Sequence, residues 1–338
     1  VSLTTVSLIL NKNDDRISEA TRKRVLETMD RLRYTPSRLA RGLPNRRAST
    51  LAILVPALQH ALADVYFGEV ISGIYEAAAD SGYRIMLEVA RSEYVRRKEY
   101  LTLLDDCSVD GILFIGATEE HGWLAEFDGG ARPMMIVNNH FRQWNLHHVV
   151  CDYPAAGRLA ADHLVEMGHR RIGHISGPSN MVRTTEELTE AFLARLSGHG
   201  VRLGREMVAD GQFLVETGRL ACDRLIERDP GLTAIFAAND KMAMGAYQSL
   251  RAHGRHPGVD VAVIGCDDIP TSALADPPLA TIRLNFFEVG AAACRRLMGI
   301  IGREEEAMDE ATGPRIGVSL VSRGSSVRAG TNGEISRA

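Results

Sequence analysis

From Leu51 onward, short apolar runs alternate with amphipathic stretches. Continuous runs rich in β-branched and other apolar residues predict strands at Leu51–Val55, Tyr83–Val89, Gly111–Ile115, Met134–Asn138, His148–Cys151, Arg171–Ser176, Ala234–Ala238, Val261–Cys266 and Ala280–Leu284. Between them, apolar positions recur at helical spacing, as in Glu69–Ser81, Ala155–Met167, Asp240–Ala252 and Phe286–Ile301. The first fifty residues follow a different pattern. Residues 4–11 place Val6, Ile9 and Leu10 on one side of a helix, with Thr5, Ser7 and Leu8 elsewhere. A polar turn follows, and Ser18 then caps a second helix to about Leu32, whose expected buried stripe is Val25, Met29 and Leu32. Pro36 breaks that pattern. Arg38 to Leu43 has room for one or two more helical turns before Pro44 ends them, a piece marginal without a partner or DNA to pack on.

Strands alternating with helices imply parallel sheets covered on both faces, hence an α/β body. The series runs twice, before and after Asp152, which predicts two lobes. In such sheets ligands bind beyond the carboxyl ends of the strands, so a cleft between facing lobes is the expected pocket. A chain of 338 residues is long enough for two or three lobes.

The overall charge of −4 conceals a division. Residues 1–50 carry +6, which leaves −10 on the remainder. A cationic head on an anionic body suits contact with phosphates, although a solvated basic helix gives the same count. The five cysteines (Cys107, Cys151, Cys222, Cys266 and Cys294) are widely spaced, so they read as small core residues in a reducing compartment, not zinc ligands or disulfide pairs. No apolar stretch approaches the ~20 residues that span a bilayer, and no signal pattern opens the chain. A cytoplasmic protein with no membrane partner is expected.

Several segments together resemble the LacI/GalR family of bacterial transcription regulators. At the head they are Thr4-Thr5-Val6-Ser7 with Asn11, and Arg33-Tyr34-Thr35-Pro36-Ser37 with Ala40-Arg41-Gly42-Leu43. In the body they include Val109-Asp110-Gly111-Ile112, Gly168-His169-Arg170-Arg171-Ile172, Ala238-Asn239-Asp240-Lys241-Met242-Ala243, Val263-Ile264-Gly265-Cys266-Asp267-Asp268 and Leu320-Val321-Ser322-Arg323-Gly324-Ser325. Any one of these is weak; their order and spacing, from Val1 to about Val327, carry the resemblance. It implies a two-lobed, periplasmic-binding-protein-like sensor behind a partial all-α helix-turn-helix and a hinge helix. The expected divisions are 1–35 for the DNA-binding part, 36–49 for the hinge and linker, 50–152 plus 285–312 for the first lobe, 153–284 plus 313–327 for the second, and a tail at 328–338. Chain crossings between lobes are expected near Asp152, Leu284 and Gly313. The resemblance also implies a homodimer on operator DNA. The run opening at Val1 matches the motif's second helix, so weak operator binding is expected of this form, which lacks the first.

Under that resemblance Leu3 and Thr4 face bases in the major groove, with Leu8 one turn on, while Thr5, Ser7 and Asn11 suit phosphates. Leu8 stands where relatives often carry an arginine that clasps guanine, so apolar contact with thymine methyls is expected instead. Leu43 matches a leucine that wedges into the minor groove, the alternative being a contact with its symmetry mate, and Arg38 and Arg41 would contact phosphates or the groove.

The matching pocket positions are Tyr66, Phe67, Arg91, Asp152, Phe213, Asn239, Asp240 and Asp267. Aromatic faces with carboxylates and amides suit a polyhydroxylated ligand, a sugar or sugar acid. Asp240 also fits a helix-capping role, the Asp267-Asp268 pair a turn, and Tyr66 and Phe67 a core role. The family usually places an arginine in the helix after Gly177-Pro178. Here the slots hold Glu187 and Glu190 in one register and Leu188 and Ala191 in the next, with Arg183 as a substitute cation and solvent-facing glutamates as the plain alternative.

The leading expectation is a repressor whose operator affinity is set by a ligand in the cleft. A solute-binding protein would use the same body, but the basic head and missing export signal argue against it. An α/β enzyme lacks support: no phosphate-binding glycine loop, Gly-x-Ser-x-Gly elbow or His/Glu metal spacing occurs, so no catalytic residue, metal or cofactor is expected. His147 and His148 are adjacent, but neighbours in a strand point to opposite faces.

Overall fold

The computed structural model describes residues 1–10, 17–32, 47–58, 61–130, 132–178, 181–302 and 313–326. They belong to two compact units, Val1–Ala48 and Ser49–Ala338.

In the first unit, α1 is Leu3–Leu10 and α2 is Glu19–Arg31. Ser2 Oγ accepts from the Thr5 amide at 3.1 Å, and Ser18 Oγ from that of Thr21 at 3.4 Å, so each start has a side-chain acceptor for an otherwise orphaned donor. Ile9 and Val25 are buried. The expected stripe of α2 is only partly realised: Met29 is half-buried and Leu32 is 68% exposed. Both line a shallow groove of about 240 Å³ with Val1, Val6 and Val25. Asn11, Arg38, Arg41 and Leu43 lie outside the described residues.

The second unit holds two six-stranded sheets. The first contains β1 (Thr50–Pro56), β2 (Arg84–Ala90), β3 (Gly111–Ile115), β4 (Met134–Val137), β5 (His148–Cys151) and β11 (Arg315–Ile316), in the order β11-β5-β4-β3-β1-β2, all parallel. The second contains β6 (Ile172–Ser176), β7 (Val208–Asp210), β8 (Ala234–Ala237), β9 (Ala262–Asp267), β10 (Ala280–Leu284) and β12 (Val318–Val321), ordered β12-β10-β9-β8-β6-β7. Here β12 runs antiparallel to β10 and the other pairs are parallel. Every strand expected between Leu51 and Leu284 is present. Strands β7, β11 and β12 escaped the sequence pattern: β7 and β11 have only three and two residues, and β12 is only half-buried, without the continuous apolar run of the others.

The main helices of the first lobe are α3 (Val65–Asp80), α4 (Ser92–Arg96), α5 (Glu99–Asp105) and α10 (Phe286–Gly302). Helix α3 starts a turn before the expected Glu69, because the Asp64 carboxylate accepts from the Tyr66 amide at 3.0 Å and sets the start there. The second lobe has α6 (Tyr153–Glu166), α7 (Arg183–Gly198), α8 (Val215–Arg228) and α9 (Asp240–Ala252). Strand order turns back between β6 and β8. The crossovers β6-α7-β7 and β8-α9-β9 run in opposite directions along the sheet, which, by the right-handed rule for parallel crossovers, puts α7 and α9 on opposite faces.

Helices α3 and α10 approach so closely that only glycine fits at their crossing. A Cβ on Gly73 would overlap the Phe287 carbonyl oxygen, and one on Gly290 would overlap that of Val70. Such an approach lets the two helices cover one sheet face as a single slab.

His174, inside β6, is fully buried between Phe236, whose ring stacks at 5.1 Å, and Phe192. Its Nδ1 donates to the Phe236 carbonyl at 3.0 Å, which leaves Nε2 to accept from the Thr189 hydroxyl at 2.9 Å. Burial pushes its pKa down to about 4. The folded protein therefore excludes a proton that the unfolded chain takes up near pH 6.5. The stabilisation is complete above that pH and is lost as pH falls through about 4. Between pH 7.5 and pH 5, denaturant titration should show wild type losing about 2 kcal/mol more than His174→Gln. Parallel losses in the two proteins would refute the assignment.

Candidate ligand-binding site

The chain passes between lobes three times, at Asp152, Asn285 and Gly317. The first two crossings fall where expected. The third lies beyond Gly313 because Arg315–Ile316 first pairs with β5 of the first sheet. The crossings are tied together: the Asp152 amide donates to the Ile316 carbonyl at 2.9 Å, and Asn285 Nδ2 to that of Gly317 at 2.8 Å.

Beside them lies a cavity of about 570 Å³. Most of the polar residues lining it sit just beyond the carboxyl end of a strand. From the first lobe come Thr118 after β3 and Asn138 and Asn139 after β4. From the second come Gln212 after β7, Asn239 and Lys241 after β8, and Asp267 closing β9. This is where the dipoles and loops of a doubly wound sheet converge.

Of the pocket residues read from the sequence, Tyr66, Phe67, Phe213, Asn239 and Asp267 line the cavity. Tyr66 packs edge-on against Phe67 and Phe286 at centroid distances of 5.1 and 4.9 Å, a rigid aromatic wall. Burial raises the Tyr66 hydroxyl above its ordinary pKa, keeping it a neutral donor. Asn239 is committed to the fold on both sides: Oδ1 accepts from the Met242 amide at 2.8 Å, and Nδ2 donates to the Phe213 carbonyl at 3.2 Å.

Asp267 has φ of 129° and Asp268 of 64°, values unusual outside glycine and a mark of a backbone held by its surroundings. Arg283 and Arg323 fix Asp268 at 2.7 and 2.6 Å. No hydrogen bond reaches the Asp267 carboxyl from the described residues. Its pKa is raised well above the usual carboxylate range by burial and by the charge of Asp240.

The other five expected residues do not line the cavity. Arg91 is exposed at the start of α4. Asp152 caps α6, accepting from the Ala155 amide at 2.9 Å. Asp240 is fully buried and accepts from the Ile269 amide and the Ser272 and Thr281 hydroxyls, so it binds the fold. Arg183 is turned into its own helix, with Glu186 at 3.0 Å and Glu190 at 3.1 Å.

Glu187 is the most informative departure. From α7 it reaches the first sheet's side, with Oε1 3.1 Å from His140 Nε2 and Oε2 accepting from Arg315 at 3.0 Å. Burial works to raise its pKa, but those two partners outweigh burial and bring it down to about 2.

Two features escaped the sequence reading. Lys241 of α9 pairs with Asp64 at the start of α3, a second ionic bridge between lobes. It leaves from the opposite face of the second sheet to the Glu187 bridge. The Asn138-Asn139 pair forms a polar seam: Asn138 Nδ2 donates to the Tyr153 hydroxyl at 2.8 Å, Asn139 Nδ2 to the Ala117 carbonyl at 2.8 Å, and the Thr184 amide to Asn139 Oδ1 at 3.4 Å. Two amides directly after an apolar strand were the available signal, given where ligands gather on such sheets.

Residues 161–326 match the periplasmic binding protein-like domain, and residues 1–37 the lacI family of bacterial regulatory proteins. The chain is 30% identical over 298 residues to the HTH-type transcriptional repressor CytR of Escherichia coli (strain K12), covering 88% of this chain and 86% of that protein. Its fold superposes on the transcriptional regulator CelR–cellobiose complex with a TM-score of 0.75 at 28% identity, covering 96% of each chain. It also superposes on the lac repressor dimer bound to operator and the anti-inducer ONPF with a TM-score of 0.82, at 23% identity, over 97% of this chain and 96% of that one. No described helix is long and apolar enough to cross a membrane.

Proposed function

The chain belongs to the lacI family of bacterial regulatory proteins, and from that membership we propose that it is a DNA-binding transcription repressor whose operator affinity is set by a small sugar-like ligand in the inter-lobe cavity. It acts as a cytoplasmic homodimer and not as an enzyme. The observation that carries this reading is the cavity itself, flanked by three chain crossings and spanned by two ionic bridges. Those contacts can exist only while the lobes are together, so the body has a closed arrangement and, with the bridges broken, an open one. A ligand shifts that balance by its difference in affinity for the two arrangements.

At the head, Leu3, Thr4 and Leu8 read bases and Thr5, Ser7 and Asn11 hold phosphates. Thr4 and Leu8 are exposed on α1, as that role requires. Arg38, Arg41 and Leu43 engage the operator centre.

The test is in vitro selection of duplexes from a random pool, followed by mobility shifts at fixed salt. The selected duplex should be held at least tenfold more tightly than its scrambled counterpart, and a cavity ligand such as cellobiose should change that affinity. Equal retention of both duplexes would remove the DNA-binding reading. Unchanged retention with every ligand that stabilises the body would remove the coupling.

A further inference from the structure

We propose that the cleft selects uncharged, hydroxyl-rich ligands with an apolar face and rejects carboxylated or phosphorylated ones. The inference rests on reading the cavity as the ligand site and narrows what it takes. Three charged side chains line the cavity among the described residues: Asp64, Lys241 and Asp267. Lys241 and Asp64 satisfy each other. Of these three, that leaves Asp267, which no described side chain or amide bonds, without a partner.

The cation that could have held an anion is close in sequence, but its terminal nitrogens are engaged by glutamates of its own helix and only its buried Nε lacks a hydrogen-bond partner. Val182, Thr184 and Thr185 line the cavity, whereas Arg183 between them is held by Glu186 and Glu190, with Glu187 at 3.9 Å. Its side chain is 10% exposed, and moving it to a ligand would break both of those ion pairs. An anion in the cavity would therefore face a carboxyl group and find no unpaired ammonium or guanidinium among the described lining residues.

A hydroxyl has the opposite fortune. Hydrogen bonds donated to a carboxylate favour its charged form, whereas a neighbouring anion disfavours it. Ligand hydroxyls would supply what Asp267 lacks. Across the cavity Tyr66, Phe67 and Phe286 offer an apolar wall, which suits the flat carbon face of a pyranose or a similar ring.

Matched pairs test the selection on the whole protein by thermal shift and calorimetry: cellobiose with cellobionate, glucose with gluconate, and uridine with uridine monophosphate. In any pair that binds, the uncharged member should bind at least tenfold more tightly than its anionic counterpart. In Asp267→Asn, which keeps the shape but can no longer ionise, that preference should shrink at least fivefold. An anion bound as tightly as its neutral partner, or a preference unchanged in Asp267→Asn, overturns the proposal. Silence from all six compounds overturns the ligand-site reading and this proposal with it, a result distinct from failed discrimination.

Discussion

Asp240→Ala should destabilise the second lobe by roughly 3–5 kcal/mol, the scale of breaking a fully buried, hydrogen-bonded charge site. The carboxylate is inaccessible to solvent. It accepts from the Ile269 amide at 3.0 Å and from the Ser272 and Thr281 hydroxyls at 2.6 Å each. Alanine would leave three donors facing a void, each costing ~1–3 kcal/mol when unpaired and buried, with some of that recovered by relaxation. The three donors come from the loop after β9 and from β10, so the damage should spread along the cavity floor. Asp240→Asn, which keeps one acceptor oxygen, should recover part of the loss. Denaturant midpoints of the three proteins decide the matter. A ligand-contact role would give the reverse pattern, with affinity lost and stability kept, and a loss below 1 kcal/mol would discard the structural role.

Gly73→Val should cost at least about 3 kcal/mol, at the upper end of the range for overpacking. The new Cβ would overlap the Phe287 oxygen and come within 2.8 Å of its carbon and 2.9 Å of the Ala291 nitrogen. All three are backbone atoms of α10, which cannot rotate aside as a side chain would. The helices must separate instead, opening the slab over the first sheet. Gly68, one turn earlier on α3, has open space around its Cβ position. Gly68→Ala should be neutral or stabilising by about 0.5–1 kcal/mol, since alanine is the better helix former. Equal effects at the two positions, measured by thermal unfolding, would mean that close helix approach does not govern this face.

The body of the fold was legible because its strands are long apolar runs and its helices have wide apolar stripes, both local properties of the chain. Tyr66, Phe67, Phe213 and Asn239 of the cavity were legible through the family resemblance, whereas Asn138 and Asn139, which follow β4 directly, were missed. The charged residues were not legible. Lys241 and Asp64 are 177 residues apart, and Glu187 and Arg315 are 128 apart. No local pattern tells whether a charged group near a cleft is free for a ligand or already paired with a distant partner. Arg183, Glu187 and Asp240 have the residue types a ligand site wants, and each is occupied within the protein. Arg91 and Asp152 instead mark helix starts, positions adjacent to the cleft in sequence but not in its lining.

The order in which the first sheet is assembled has a consequence for synthesis. Its edge strand β11 and its covering helix α10 follow all five strands β6 to β10 of the other lobe. A nascent chain leaving the ribosome amino end first thus presents β1 to β5 with one face covered by α3 alone, Gly73 and its apolar neighbours waiting for α10 until β6 to β10 have been made. The lobe translated first is completed only after five strands of the second, so a premature stop before Phe286 leaves its sheet without β11 and without α10 on one face, not a free-standing domain.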